Sequence, residues 1–294
     1  IYLLSNGSCE EAVSYFLSLS KKNIINYLMI SKKNMGVNGG WNLLLQAAPG
    51  EYVALLNDDI FFHEKWLDKC IEIIEGYPNV GYVSPFPIRT HYKSELNSST
   101  LEFANKPEIT LHNGMWDKNW DKIIFESVGY DKKMIKSLDP ANDLPLLDYN
   151  GIKAFPFSSH FCILLHQELI SKVLPLPWSD RAMGGSDNDP NSLINNFDKV
   201  VNELGFLKLS TFGVYAEHIG NRIDSRIKFL IEKYNIETNQ LEKNTQKIND
   251  HISFFEKIII YIFKILILKS FPNYIIKKMD EILLKKAIYN KQRG

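Results

Sequence analysis

An α/β fold followed by a helical extension is what this 294-residue sequence predicts, on three observations. The first is the run Tyr52-Val53-Ala54-Leu55-Leu56-Asn57-Asp58-Asp59-Ile60, apolar until it ends in two adjacent carboxylates. The second is the alternation of short apolar segments with helix-patterned ones across the first 85 residues. The third is a change of character at Arg222, after which apolar residues recur at heptad spacing. A continuous apolar run of that length reads as a buried strand, and ligands of open α/β sheets bind beyond the carboxyl ends of the strands. Asp58 and Asp59 therefore stand where a ligand is expected. Hard cations take oxygen ligands, so two carboxylates there suit a divalent metal holding phosphate oxygens; a solvated turn is the plainer alternative.

Taken in order, Ile1-Tyr2-Leu3-Leu4 is a short strand running into the turn Ser5-Asn6-Gly7-Ser8. Asn34-Met35-Gly36-Val37-Asn38-Gly39-Gly40 reads as a glycine-rich loop, Trp41 to Ala48 as a helix, and Gly50-Glu51-Tyr52 as the lead into the acidic strand. Between Glu64 and Glu75, Trp66, Leu67, Cys70, Ile71, Ile73 and Ile74 follow a helical period before the turn Gly76-Tyr77-Pro78-Asn79. Residues 86–150 read as irregular, with Pro107, Pro140, Pro145 and scattered charges. Trp116 and Trp120 lie four apart there, either a platform for a sugar ring or a packing cluster. Phe161 to His166 is a buried strand, Glu168 to Val173 a short helix, and Leu193 to Leu204 another helix.

The order of strand, Asn-Gly-Ser turn, helix, strand, Asn34-x-Gly36 loop with a following Asn42, helix, Gly50-Glu51-Tyr52 strand and Asp58-Asp59 resembles the family 2 glycosyltransferases of the GT-A fold. Gly184-Gly185-Ser186-Asp187-Asn188-Asp189, a helix, Gly205, an apolar segment and His218-Ile219-Gly220 extend the likeness to about residue 221. Ser186 stands where the family usually has Glu. The resemblance implies two abutting α/β halves with a central mixed sheet over residues 1–221, divided into a nucleotide-binding half (1–85), a variable insert (86–150) and an acceptor half (151–221). Residues 222–294 form the extension.

It also implies a chemistry: transfer of a sugar from a nucleoside diphosphate sugar to an acceptor hydroxyl, with inversion, in surface glycan or polysaccharide assembly. Asp187 becomes the general base, because the acceptor proton must be taken by a group within hydrogen-bond reach. Asp59 and His218 become ligands of Mg²⁺ or Mn²⁺, although a lone His after an apolar segment is as readily a structural residue. Asn6, Ser8, Asn34, Gly36, Asn42, Asp58 and Asp189 become contacts to nucleotide or substrate, Asp189 being open also to a plain turn or cap role. Family members usually begin with one more strand and a Pro-x-Tyr-Asn-like segment, so the sequence reads as a fragment whose nucleotide pocket is incomplete.

Composition narrows the alternatives. Lysine plus arginine and aspartate plus glutamate are balanced at 34 each, which argues against general nucleic-acid binding. Cys9, Cys70 and Cys162 are isolated, indicating neither a disulfide framework nor a zinc site, and a reducing, cytoplasmic setting follows. A seam from Ile227 through Ile231, Tyr234, Thr238 and Leu241 to Leu266 favours a long helix pairing with another helix or with its own domain. The apolar, lysine-interrupted stretch from Ile258 to Phe271 is too short and charged for a span. It fits an interfacial helix at the inner face of a membrane, or a docking or dimer helix. Two other classes stay open: a sugar nucleotidyltransferase, which lacks here the Gly-rich, basic triphosphate loop it needs, and an inactive glycan-binding or scaffolding relative.

Overall fold

The computed structural model describes residues 1–57, 60–88, 95–127, 144–158, 161–177, 197–218 and 225–233. It opens as a strand, helix, strand unit: β1 (Tyr2–Asn6), α1 (Glu10–Lys21) and β2 (Tyr27–Ser31). The two strands pair in parallel as a sheet of their own, with the helix as crossover. α1 buries Tyr15, Phe16 and Leu19 on one stripe against Ile25. Glu10 and Glu11 in its first turn and Lys21 in its last suit the partial charges of the helix ends.

α2 (Gly36–Ala47) follows and begins five residues earlier than the sequence predicts. Glycine lowers helix propensity, which is why residues 36–40 read as loop. Their smallness serves packing instead: a Cβ on Gly40 would lie 3.2 Å from the Leu4 side chain, so α2 lies close on β1. On its other side α2 inserts Trp41 and Leu45 into a core cluster with Leu55, Tyr82, Ile163, Leu165, Phe197 and Val201.

The central layer is a seven-stranded mixed sheet in the order β3 (Tyr52–Leu56), β9 (Cys162–His166), β5 (Val80–Ser84), β10 (Leu207–Thr211), β8 (Ile152–Phe155), β7 (Leu146–Tyr149) and β6 (Thr110–His112). Only β5 and β10 run parallel; the other neighbours are antiparallel. Strand alternation sends successive side chains to opposite faces. Ile163 and Leu165 of β9 thus join the cluster under α2. Leu164 between them joins Cys70 and Ile73 of α3 (Trp66–Gly76) on the far face. Both faces are covered, which explains why the central strands read as unbroken apolar runs.

Residues 86–150 are more regular than the sequence suggests. They contain α4 (Ser98–Ala104), β6, α5 (Lys118–Ser127) and β7, and two of the seven central strands come from them. Short strands of three and four residues between prolines and charges carry little periodicity, which hid them. Trp116 and Trp120 form a packing cluster: Trp116 is 7% exposed, donates its indole N–H to Asp121, and meets Trp120 and Phe155 edge-on.

After β9 come α6 (Gln167–Val173), then α7 (Lys199–Glu203), β10, β11 (Ala216–His218) and α8 (Ser225–Lys233). β11 pairs antiparallel with β4 (Ile60–Phe62) as a separate two-stranded ribbon. The heptad seam beyond Lys233 and the apolar stretch from Ile258 lie outside the described residues. Among the described residues, no helix is long and apolar enough to cross a membrane.

Candidate functional site

The acidic pair of the sequence is bracketed on both sides by defined backbone, while Asp58 and Asp59 themselves lie outside the described residues. On the upstream side, the amide of Asn57 donates to the Phe161 carbonyl at 2.9 Å, continuing the β3–β9 pairing. On the downstream side, Ile60 opens β4 and is the ladder partner of His218. Directly opposed residues in an antiparallel pair have Cα atoms about 4.5 to 5.5 Å apart. His218 therefore sits across from the residue that follows Asp59. The Phe161 ring packs on the His218 imidazole at 4.9 Å, so both brackets meet at this histidine.

The neighbouring residue of β11 does something else. Glu217 is 6% exposed, and its Oε1 lies 2.7 Å from His63 Nε2, while the His63 amide donates to the Tyr215 carbonyl. Strand alternation places the Glu217 and His218 side chains on opposite faces of the ribbon. The contact of Glu217 with His63 thus ties the ribbon down on one face, leaving the other to His218. Nearby, Ile60, Phe86, Cys162 and Ala216 form the apolar floor beneath this end of the sheet.

A second group of predicted residues converges at the ends of β1 and α2. The Asn6 side chain accepts from the Met35 amide at 2.8 Å and donates to the Asn34 side-chain oxygen and the Gly36 carbonyl, each at 3.2 Å. Asn34 in turn accepts from the Gly36 amide at 2.8 Å. Gly7 approaches so closely that a Cβ there would lie 2.7 Å from the Asn34 nitrogen, and its φ of +76° is one that favours glycine. Asn6, Asn34 and Gly36 are hence brought into one loop cluster. Ser8 lies two residues beyond Asn6, ahead of Cys9, the N-cap residue of α1.

Asn42 is directed elsewhere. Its amide group donates to the Leu176 carbonyl at 2.9 Å and accepts from the Leu176 amide at 2.7 Å. One turn earlier on α2, Asn38 donates to the Pro177 carbonyl at 2.9 Å and is 2% exposed. Asn38 escaped the sequence reading, although its spacing of four from Asn42 was a usable signal that both share a helix face.

Asp187 and Asp189 lie outside the described residues, within 178–196. The chain re-emerges at Phe197 and Asp198. Asp198 accepts from the Tyr82 hydroxyl, and the fully buried Lys208 donates to the carbonyls of Leu96 and Asp198. Desolvation is the main influence on Lys208 and lowers its pKa; desolvation likewise raises that of Tyr82, with the nearby Asp198 carboxylate adding to the rise. This buried polar knot was not legible in the sequence, since Lys208 reads as a solvated residue of a strand. Of the other histidines, His166 accepts from the Glu168 amide at 3.1 Å and so caps α6. Among the described residues, no three His, Cys, Asp or Glu side chains gather as a metal site.

A mixed, doubly covered α/β sheet with an acidic pair at the end of a strand is a Rossmann-like nucleotide-sugar architecture, the GT-A class of fold. Residues 1–138 match the model of glycosyl transferase family 2. The match supports a glycosyltransferase in general, a class that takes a nucleotide-sugar donor and an acceptor. A search of curated proteins finds no match to the chain.

Proposed function

We propose that this glycosyltransferase is inverting and metal-dependent, and that Asp59 and His218 hold the metal. The pairing of His218 with Ile60 supports the reading, because it sets His218, from a segment more than 150 residues away, opposite the residue that follows Asp59 in the sequence. Carboxylate and imidazole donors suit Mn²⁺ or Mg²⁺, so the residue types fit the ion. A bound ion would neutralise charge on the departing diphosphate. The remaining steps belong to the chain's own residues. Asp58 meets the nucleotide sugar; the loop of Asn6, Ser8, Asn34 and Gly36 borders the nucleotide; Asp189 orients the acceptor. Asp187 takes the proton of the acceptor hydroxyl as that oxygen bonds to the anomeric carbon, and the carbon–oxygen bond to the diphosphate breaks with its electron pair leaving on phosphate.

Surface glycan or polysaccharide assembly at the cytoplasmic face of a membrane is the setting we propose, with residues 222–294 as the membrane-surface or self-association element. Calorimetry of the full chain with UDP, with and without Mn²⁺, tests the site. The expected result is Mn²⁺-dependent binding that Asp59→Ala abolishes and His218→Ala weakens by about tenfold or more, the scale of losing one interaction of roughly 1.4 kcal/mol. Binding of UDP that ignores both Mn²⁺ and these substitutions would end the proposal.

A further inference from the structure

The two halves of the chain are joined by a polar clasp whose role the family assignment does not supply. Leu176 is 3% exposed, with its side chain in the core cluster under α2. A backbone segment drawn into a core must find partners for its N–H and C=O, and strands or helices normally provide them. Here neither does. The Asn42 side chain supplies both an acceptor and a donor to one residue, pairing with Leu176 as a strand neighbour would, and Asn38 takes the next carbonyl. These contacts join residues 134 to 139 positions apart.

Both asparagines sit on the helix whose first turn is held by Asn6. The Asn6 amide binds Met35 and Gly36 at the start of α2, so β1, the 34–36 loop, α2 and the Leu176-Pro177 backbone form one hydrogen-bonded series. Pro177 lies ten residues upstream of Asp187. We propose that Asn42 and Asn38 are positioning residues of the transfer reaction: they fix the chain entering the acceptor side relative to the donor loop, so that donor and acceptor groups keep one geometry. This rests on the reading of Asp187 as base. It predicts a loss in turnover with little change in donor affinity, because both asparagine side chains are engaged by the Leu176 and Pro177 backbone.

The test compares Asn42→Ala, Asn42→Asp and Asn38→Ala in the full chain. Three readouts are needed: UDP affinity with Mn²⁺, kcat for transfer with whichever donor the wild type uses, and hydrogen exchange at the Leu176 amide. Asn42→Ala should speed Leu176 exchange, keep UDP affinity within about twofold, and lower kcat by about 10- to 100-fold, as expected of small misplacements. Asn42→Asp, which retains the acceptor for the Leu176 amide, should recover part of that loss. Asn38→Ala removes one hydrogen bond and serves if Asn42→Ala does not fold; the same pattern at smaller amplitude is expected. Faster exchange at Leu176 with kcat unchanged would overturn the positioning role and leave the transferase reading intact. A wild type that binds UDP yet transfers no sugar from any donor would overturn both.

Discussion

The β1–β2 unit and the seven-stranded sheet are parallel and mixed α/β structures of one chain, yet they are held by different forces. In β5 and β10 every residue is buried, whereas β1 buries one residue of five and β2 none. The centre is fixed by apolar volume on two faces. The edge unit has one thin cluster around α1 and is located mainly by side-chain amides, glycine and the stacked rings of Tyr2 and Tyr27, 4.3 Å apart. Apolar burial is insensitive to direction; a hydrogen bond is not. The region expected to meet the nucleotide is thus the one whose shape depends on particular polar atoms, and changes there should reach binding before they reach stability.

Two substitutions separate these regimes. Leu165→Ala, at a fully buried position of β9, should cost about 3 kcal/mol in denaturant unfolding. UDP affinity measured well within the folded range should stay within about twofold of the wild type. Gly7→Ala should do the reverse. Its positive φ and the 2.7 Å approach to Asn34 call for strain of about 1–2 kcal/mol, less than the core cavity, but the loop of Asn34 to Gly36 must shift. UDP binding should then fall by about tenfold. If Leu165→Ala weakens UDP as much as Gly7→Ala does, the two regions are not mechanically distinct.

The same division explains what the sequence revealed. Apolar runs predict β3 and β9 within a residue or two, and the helical period of residues 64–75 predicts α3, because burial writes itself into residue type. β6 and β7 left no such trace, being short and flanked by prolines and charges. Asn6, Asn34 and Gly36 were found through a resemblance, and they do converge on one loop. Their partners could not be read from spacing. Asn42 shows the limit: its residue type signals a polar contact, while its target, Leu176, lies 134 residues on and is set by how α2 packs against that distant segment. Lys208 and Asp198 show it again, since a core lysine is visible only once its carbonyl partners are folded around it.

The smallest effect concerns the buried thiols, which belong wholly to the centre. Cys70 and Cys162 are fully buried, and desolvation pushes both thiols well above their ordinary pKa, each ionised form being denied water. An unfolded thiol ionises near pH 8.5, roughly as in model peptides. Because the folded pKa is the higher one, the stabilisation is fully present below that pH and is lost as pH rises toward the folded value. Each thiol should contribute a decline of about 1.4 kcal/mol per pH unit once the unfolded form is ionised. Lys208 acts in the opposite sense, since its lowered pKa makes the unfolded chain bind the extra proton and stability rise with pH. The absolute slope therefore mixes signs, and the comparison with Cys70→Ala isolates one thiol. Between about pH 9 and 10 the buried tyrosines weigh on both proteins alike, and the wild type should lose about 1.2 kcal/mol more than Cys70→Ala in denaturant unfolding. Equal slopes would mean that water reaches Cys70 and that the far face of the central sheet is looser than its packing implies.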